Sequence, residues 1–380
     1  MLFDLMIDVE RSMVTRKEFC AGMAVTAVSV FAPNDGFSAV VDSKKRALGQ
    51  FYTHKNCWLH PHIKDFISSC GCCVVYDPFA GIGCLIKTVK DEVPSITESK
   101  GLDIDRSLGW DFNDSLINIP HVPNAIIVTN PPYISNYSAR RKKINVELDK
   151  YFDSTCYDDV YLLALDKMLE AQRHVVAIVP ETFINSSYKQ KDKLTSITIL
   201  EENPFNDTDA PVVVLCFDSV CKPLQKIKVY KNAQYVCSLG EVENSRLVPK
   251  NSVKMKFNDP SGWLAVRCVD NTSPDDRLRF AFKSDINYNW EERIKVSSRL
   301  LTLIALDVPD EQRFAFILEC NRVLEEIRRK SHDIILSPFK GNARNGIRRR
   351  RLDFLTCRAI IERAYHQVVK AEQLFQPEFF

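Results

Sequence analysis

Four residues, Asn130-Pro131-Pro132-Tyr133, directly follow the apolar run from Ala125 to Thr129. A buried strand that ends in this way places an amide, two prolines and an aromatic ring at the carboxyl edge of a sheet, where open α/β sheets bind their ligands. Proline fixes φ and removes a backbone donor, so the Pro131 carbonyl and the Asn130 side-chain oxygen are predicted to act as acceptors. Two acceptors beside the flat face of Tyr133 suit a planar group with an exocyclic amino group, such as a nucleobase. Taken alone, the four residues are equally typical of a proline turn that closes a core strand.

A glycine-bearing turn precedes this segment. The apolar residues Val74 to Tyr76 run into Asp77-Pro78-Phe79-Ala80-Gly81-Ile82-Gly83, and a helix is predicted to begin at Leu85. This is the pattern of the first βα unit of a doubly wound sheet, in which glycines let the backbone approach a ligand closely. The spacing is not that of the dinucleotide motif GxGxxG, so the turn favours a cofactor without a pyrophosphate.

Carboxylates end the next two predicted strands. Asp103 and Asp105 end the strand that begins at Lys100, about twenty residues after the glycine turn, where such folds hold ribose hydroxyls. Asp111 ends a third, short strand. The carboxyl edge of the predicted sheet is therefore lined by acids and by the Asn130 amide.

Strands alternate with helices as far as Phe217, and the pattern then changes. The alternation predicts one α/β domain over residues 41–221, built on a sheet with helices on both faces. Residues 222–380 combine short strands with long helices over 310–330 and 352–374, which predicts a smaller mixed α/β domain. Residues 1–40 are interpreted as a peripheral extension.

Charge is distributed unevenly along the chain, although the net charge of the 380 residues is only +2. Residues 222–380 hold 29 Lys and Arg against 20 Asp and Glu, and residues 1–221 hold 22 against 29. Two basic segments are predicted to be loops that contact phosphates, although each is also compatible with a solvated charge run. Their cations are Arg140, Arg141, Lys142 and Lys143 in the first segment, and Arg348, Arg349, Arg350 and Arg351 in the second.

The 13 cysteines are scattered and predict reduced thiols in an intracellular protein. Cys57, His60, His62, Cys70 and Cys73 lie close together in sequence, but no second CxxC follows at zinc-finger spacing, so no metal site is predicted. No apolar run approaches the ~18 residues of a membrane span. We therefore expect a cytoplasmic protein without a membrane anchor.

The motifs in this order resemble those of the S-adenosylmethionine-dependent amino-methyltransferases that act on DNA adenine. The resemblance covers residues 46–218 and follows the gamma order, with the cofactor motif first and the target-recognition domain last. It implies a Rossmann-like methyltransferase sheet followed by a smaller mixed α/β target-recognition domain. The residues that carry it are Phe51-Tyr52-Thr53, Asp77 to Gly83, Asp103, Asp111, Asn130-Pro131-Pro132-Tyr133 and Phe205.

The resemblance implies a set of residues that hold S-adenosylmethionine. Asp103 would bind the ribose hydroxyls, Asp111 would accept a hydrogen bond from the adenine amino group, and Ile104 would pack on the adenine ring. The residues that would line the methionine end are Phe51, Tyr52, Thr53, Asp77, Pro78, Phe79, Ala80, Gly81 and Gly83.

The implied reaction is methyl transfer to the N6 amino group of an adenine flipped out of double-stranded DNA. Asn130 and Pro131 would accept the amino hydrogens, Pro132 would hold the turn, and Tyr133 and Phe205 would stack on the base. The resemblance leaves open whether a cognate restriction endonuclease acts on the same DNA site or whether the protein is an orphan or phage enzyme without one, and a monomer is the expected state.

Three other functions remain open. Enzymes with the same four residues also methylate RNA bases and protein glutamine amides. Members that act on cytosine N4 usually carry Ser at the position of Asn130. A DNA-binding protein with a vestigial methyltransferase core is a fourth possibility from another class, and the intact Asn130, Asp77 and Gly81 argue against it.

Overall fold

The computed structural model describes residue 53 and residues 56–141, 145–153, 155–206, 208–273, 275–294 and 300–373. The predicted extension over residues 1–40, and the predicted cofactor residues Phe51 and Tyr52, lie outside this part of the chain. Among the described residues, no helix is both long and apolar enough to cross a membrane.

The first unit of the protein is a nine-stranded sheet with the order β3-β2-β1-β4-β5-β7-β6-β8-β9. The first five strands are parallel, and β7 runs antiparallel to both of its neighbours. The strands are β1 (Val74–Asp77), β2 (Glu98–Asp103), β3 (Asp111–Phe112), β4 (Ala125–Thr129), β5 (Val175–Pro180), β6 (Leu194–Ile199), β7 (Val212–Phe217), β8 (Lys228–Lys231) and β9 (Gln234–Ser238).

Six helices accompany this sheet and cover both of its faces. They are α1 (Pro61–Ser69), α2 (Cys84–Glu92), α3 (Asn136–Arg141), α4 (Asn145–Phe152), α5 (Val160–Ala171) and α6 (Leu239–Asn244). Successive residues of β4 enter different cores: Ile127 packs against α5, while Ile126 and Val128 pack against α1 and α2. Burial on both faces explains why β4 is a continuous apolar run rather than an alternating one. The predicted α/β fold with a Rossmann-like sheet is confirmed.

The sheet continues beyond the predicted domain boundary at residue 221. Strand β8 pairs parallel to β6, and β9 pairs antiparallel to β8. The sequence predicts short strands beyond residue 222 but not that they extend the first sheet, because β8 and β9 are short and half exposed and carry little apolar pattern.

The second unit is a four-stranded antiparallel sheet with the order β10-β13-β11-β12. Its strands are β10 (Met255–Phe257), β11 (Leu264–Arg267), β12 (Arg279–Phe282) and β13 (Leu301–Leu306). Two long helices, α8 (Arg313–Lys330) and α9 (Phe354–Gln373), pack on one face, and the short helix α7 (Trp290–Arg293) lies against the other.

The basic segment predicted as a phosphate-binding loop is instead a hairpin between α8 and α9. Strands β14 (Ser337–Asn342) and β15 (Arg348–Arg351) pair antiparallel. Arg350 is 1% exposed and its guanidinium donates to the Glu181 carboxylate at 2.5 Å, while Arg348 donates to the Leu200 carbonyl at 2.6 Å. These two arginines therefore join the units and are not available to a DNA phosphate.

A buried acid continues this junction into the second unit. Asp270 accepts from the backbone NH of Arg350 at 3.0 Å and from the guanidinium of Arg328 at 3.1 Å. Arg328 also pairs with Asp333 at 2.7 Å. Glu181, Arg350, Asp270 and Arg328 thus form one chain of buried polar contacts that runs from the first sheet into the second unit.

We expect Glu181→Ala to lower the free energy of unfolding by about 3–5 kcal/mol, because it leaves the Arg350 guanidinium buried without its counter-charge. Urea unfolding followed by circular dichroism measures the change. The double variant Glu181→Leu, Arg350→Met should lose less, since neither charge remains.

The matched control is Arg344→Ala, which removes an exposed cation from the same hairpin and should change stability by less than about 0.5 kcal/mol. Equal effects of Glu181→Ala and Arg344→Ala would contradict a structural role for the buried pair.

Candidate active site

The ends of β1 and β4 are tied together by a buried hydrogen bond. Thr129, the last residue of β4, donates its hydroxyl to Asp77 Oδ1 at 2.5 Å. The same oxygen accepts from the Phe79 backbone NH at 3.0 Å, and Asp77 is 1% exposed. The glycine turn and the Asn130 segment therefore leave the sheet side by side at its carboxyl edge.

The Tyr133 phenol occupies the acceptors at this edge. Its hydroxyl lies within hydrogen-bond distance of Asn130 Oδ1 and 2.8 Å from the Ile178 carbonyl of β5, so its single hydrogen is shared between them. Burial raises the pKa of this phenol well above its ordinary value, so it remains a donor at neutral pH. The side-chain oxygen of Asn130, which the sequence predicts to be an acceptor, is accepting here from within the motif.

Tyr133 and Phe205 meet edge to face, with ring centroids 6.2 Å apart and an interplanar angle of 68°. A base stacked between two rings needs parallel faces roughly 7 Å apart, because each aromatic contact takes about 3.5 Å. The structure brings the two predicted stacking residues into contact, and in this arrangement no slot separates them.

Phe205 is positioned by its own loop and by a segment far away in the sequence. Its backbone NH donates to Asn203 Oδ1 at 3.0 Å, and the Asn203 amide donates in turn to the Thr208 carbonyl. Residue Thr53 forms an isolated antiparallel bridge to Phe205. One residue of the predicted amino-terminal cofactor motif therefore lies directly beside the predicted base-stacking ring.

The glycine turn wraps around the carboxylate of Asp103 at the end of β2. Gly81 NH donates to Asp103 Oδ2 and Asp105 NH donates to Oδ1, each at 2.8 Å. Gly81 and Gly83 both have positive φ, at 54° and 81°, which a side chain would strain. Each carboxylate oxygen has a second lone pair, so Asp103 retains acceptor capacity for a hydroxyl pair.

Trp110 packs over this turn and was not among the predicted site residues. Its indole NH donates to the Gly81 carbonyl at 2.7 Å. A Cβ atom at Gly101 would lie 2.4 Å from its ring, and one at Gly83 would lie 2.9 Å from it. A glycine inside a predicted strand, here Gly101, is the sequence signal of such a close approach.

Exposed apolar side chains lie beside the acids at the same edge. Ile104 and Phe112 are 37% and 49% exposed and follow Asp103 and Asp111, and Ile82 in the glycine turn is 51% exposed. Asp111 itself is exposed. A planar apolar ring with an amino group fits a surface of this kind, which matches the adenosine part of the predicted cofactor. Pro78 and Ala80 are buried and Phe79 is half buried, so they shape the turn.

The basic residues predicted to contact DNA differ in their exposure and in the contacts that they make. Arg140 is exposed at the carboxyl end of α3, which is a helix and not the predicted loop. Lys142 and Lys143 lie outside the described residues, as does the side chain of Arg141. In the hairpin, Arg349 stacks on Phe339 and donates to the Asp270 carbonyl, and Arg351 is half buried.

Burial raises the pKa of Asp77 to about 7, even though its hydrogen bonds from Thr129 and Phe79 act in the opposite direction. A carboxyl whose pKa is higher in the folded than in the unfolded chain binds protons more tightly when folded. Its contribution to stability is therefore complete below the unfolded pKa of about 4 and is lost as pH rises through 7. Burial also raises the pKa of Asp103.

We expect the free energy of unfolding to fall between about pH 4 and pH 7 more steeply in the wild type than in Asp77→Asn, which keeps the acceptor for Thr129 but cannot ionise. Urea titrations across this range measure the two slopes, with the exposed Asp91→Asn as the control. Identical slopes in the wild type and Asp77→Asn would show that Asp77 titrates as an ordinary carboxyl.

One protein-family model matches the part of the chain that contains β4 and the Asn130 segment. Residues 124–207 match the model of the Eco57I restriction-modification methylase family. The matched segment begins just before β4 and includes Asn130, Tyr133 and Phe205. No curated protein matches the chain.

Several solved structures are similar over part of the chain. A chain from Listeria monocytogenes, described as a class I S-adenosylmethionine-dependent methyltransferase, aligns with 15% identity and a TM-score of 0.33 over 58% of this chain and 71% of its own. A type I restriction-modification methyltransferase subunit from Streptococcus thermophilus aligns with 14% identity and a TM-score of 0.36 over 56% of each chain.

An RNA methyltransferase described from Pyrococcus horikoshii aligns with 17% identity and a TM-score of 0.31, over 49% of this chain and 100% of its own. At such scores the alignments carry no inference about substrate. The family match alone bears on activity, and it indicates a methyltransferase of the restriction-modification type.

Proposed function

We propose that this protein transfers a methyl group from S-adenosylmethionine to the N6 amino group of an adenine flipped out of double-stranded DNA. The observation that carries the proposal is the position of Asn130 to Tyr133 at the carboxyl end of β4, beside the buried Asp77 and within the restriction-modification methylase match. The proposal assigns methyl-group chemistry and base recognition to one edge of one sheet.

The residues around the glycine turn fit the proposed cofactor. Asp103 has acceptor capacity for two ribose hydroxyls, and Ile104 and Phe112 offer apolar surface for the adenine ring. Asp111 would accept from the adenine amino group. Phe51, Tyr52 and Thr53, together with Asp77 to Gly83, would line the methionine end. When bound, S-adenosylmethionine would supply a methyl group on a positively charged sulfur.

The motif supplies two acceptors for the target amino group. The nitrogen lone pair of an adenine amino group is delocalised into the ring, which makes it a poor nucleophile. Hydrogen bonds from its two hydrogens to Asn130 Oδ1 and the Pro131 carbonyl would draw the nitrogen towards tetrahedral geometry and stabilise the developing positive charge. Neither a covalent intermediate nor a strong general base is required by this scheme.

The position of Tyr133 adds a step to the scheme. Its phenol contacts the Asn130 oxygen that the base would use, and its ring contacts Phe205 edge to face. Entry of a base would therefore displace the phenol and rotate the ring, so that Tyr133 and Phe205 stack on the two faces of the base. Such stacking is worth about 1–3 kcal/mol per base.

The basic hairpin favours a nucleic acid over a protein substrate. It docks on Glu181 and Leu200, which follow β5 and β6 at the edge of the sheet that carries Asn130. Its exposed cations Lys340 and Arg344 and the exposed Arg140 beside the motif could contact phosphates at that edge. RNA bases and cytosine N4 are the remaining alternatives within the same chemistry.

We expect Asn130→Ala to reduce methyl transfer by at least about 10²-fold, because one of the two amino-group acceptors is lost, while affinity for the cofactor is unchanged. Transfer of labelled methyl into unmethylated DNA, followed by nucleoside analysis, measures both the rate and the modified base. Tyr133→Phe keeps the stacking ring and should retain much more activity than Asn130→Ala. A parallel loss of cofactor binding in Asn130→Ala would assign Asn130 to the cofactor site instead.

The slope of log affinity against log salt concentration is negative for a protein that binds phosphates. We expect Arg140→Ala and Arg344→Ala each to reduce the magnitude of this slope by about 0.9, the value for one lost phosphate contact. Fluorescence anisotropy with a DNA duplex measures the slope. Lys90→Ala is the matched control, since Lys90 is exposed near the end of α2, at the opposite edge of the sheet. A slope unchanged in both arginine variants would place the DNA-binding surface elsewhere.

A further inference from the structure

A cluster of two thiols and one imidazole lies at the edge of the sheet opposite the candidate active site. The ligand atoms of Cys70, Cys72 and His174 all lie within 4.8 Å of one another. Cys70 caps the carboxyl end of α1, Cys72 precedes β1, and His174 directly precedes β5. The cluster therefore joins segments that are far apart in sequence, since Cys72 and His174 are separated by 102 residues.

The backbone is arranged so that both thiols lie on one side. Gly71, between the two cysteines, has a φ of +76°, a left-handed conformation that reverses the chain after α1. Cys70 and Cys72 both pack against the core that contains α1 and α2. Cys73 packs against the core on the other face of the sheet, so it is not part of the cluster.

One ligand–ligand distance matches that of a tetrahedral soft-metal site, and the other two are below 4.8 Å. Zinc bonds are about 2.3 Å long to sulfur and roughly 2.0–2.1 Å long to imidazole nitrogen, which separates tetrahedral ligand atoms by about 3.5–3.8 Å. Cys72 Sγ lies 3.8 Å from His174 Nδ1. Two thiols and an imidazole form a donor set that prefers zinc to magnesium or calcium, which take oxygen ligands.

We propose that Cys70, Cys72 and His174 bind a zinc ion through Sγ, Sγ and Nδ1, with a solvent molecule as the fourth ligand. All three residues are partly exposed, which leaves the ion accessible to that solvent ligand. Binding removes the two thiol protons to solvent and forms two zinc–thiolate bonds. Because the site lies at the opposite edge from Asn130, its role is structural: it ties α1 to the starts of β1 and β5.

Backbone hydrogen bonds near the cluster show which strands a bound zinc ion would connect. Asn124, just before β4, accepts from the backbone NH groups of Cys73 and Val74, and Ile127 of β4 donates to the His174 carbonyl. The segments that carry the cluster thus flank β4, the strand that ends in Asn130. A bound ion would stabilise the three central strands from the end opposite the active site.

The experiment measures zinc in the full-length protein purified with a thiol reductant and without a chelator. We expect a zinc-to-chain ratio near one for the wild type, and a ratio near zero for Cys72→Ser and for His174→Ala. Cys73→Ser is the matched control and should retain the metal, because its side chain lies on the other face of the sheet. Wild-type protein that holds no zinc, and whose Tm does not rise when Zn²⁺ is added, would overturn the proposal.

A second measurement does not depend on the folding of any variant. Replacing the metal of the wild type with Co²⁺ should give the intense near-ultraviolet absorption of cobalt–thiolate bonds, together with the visible bands of tetrahedral cobalt. A spectrum without thiolate absorption would overturn the proposal, and so would a Cys70–Cys72 disulfide in the reduced preparation. Equal metal loss in Cys73→Ser and Cys72→Ser would also reject this ligand set.

Discussion

The buried pair between Glu181 and Arg350 determines how the two halves of this protein are arranged. Glu181 follows β5 at the carboxyl edge of the first sheet, and Arg350 lies in a hairpin that grows out of the second unit. Both side chains are almost completely buried, so each would carry a large desolvation cost if the other were absent. An arrangement that buried one of these charges without the other would be unfavourable, so the pair holds the hairpin against the first sheet. The exposed cations of the hairpin then lie at the edge that carries Asn130.

The same edge shows how neighbouring strands organise a site that no single motif contains. Thr129 orients Asp77, Asp103 accepts from the glycine turn, and Trp110, which directly precedes β3, covers that turn. Thr129, Asp77, Asp103 and Trp110 lie in or next to four different strands, so the parallel order β3-β2-β1-β4 brings them together. Burial then raises the pKa of Asp77 and Asp103, so two weakly acidic carboxyls lie at this edge.

In the Asn130 segment, the Tyr133 side chain contacts Asn130 and Phe205, so a substrate for the proposed reaction would have to displace it. The phenol of Tyr133 contacts the Asn130 oxygen that the proposed reaction assigns to a target amino group, and Phe205 meets the ring edge to face. A substrate that enters must replace the hydrogen bond between Tyr133 and Asn130 and the contact between the Tyr133 and Phe205 rings with contacts of lower free energy. A base with an amino group and a broad aromatic face can do both, whereas a small amide lacks the face for stacking.

Much of the fold followed from the sequence alone, because β1 and β4 are apolar runs and a polar residue ends or directly follows each of β1, β2 and β4. The position of the glycine turn, Asp103 and the Asn130 segment at one edge could be predicted in this way, since strand ends in a parallel sheet share an edge. The pairing of β8 and β9 with the first sheet was not predicted, because short, half-exposed strands have little apolar pattern.

Tertiary structure decided the features that depend on contacts between distant residues. The sequence shows four consecutive arginines and predicts a loop that contacts phosphates, but a hairpin turns Arg350, which is buried, and Arg348, which is half buried, towards Glu181 and Leu200. Likewise, Cys72 and His174 lie far apart along the chain and meet only because β1 and β5 flank β4 in the sheet. Local patterns determine which residues enter strands, whereas burial and pairing of a charge depend on the element that packs against it.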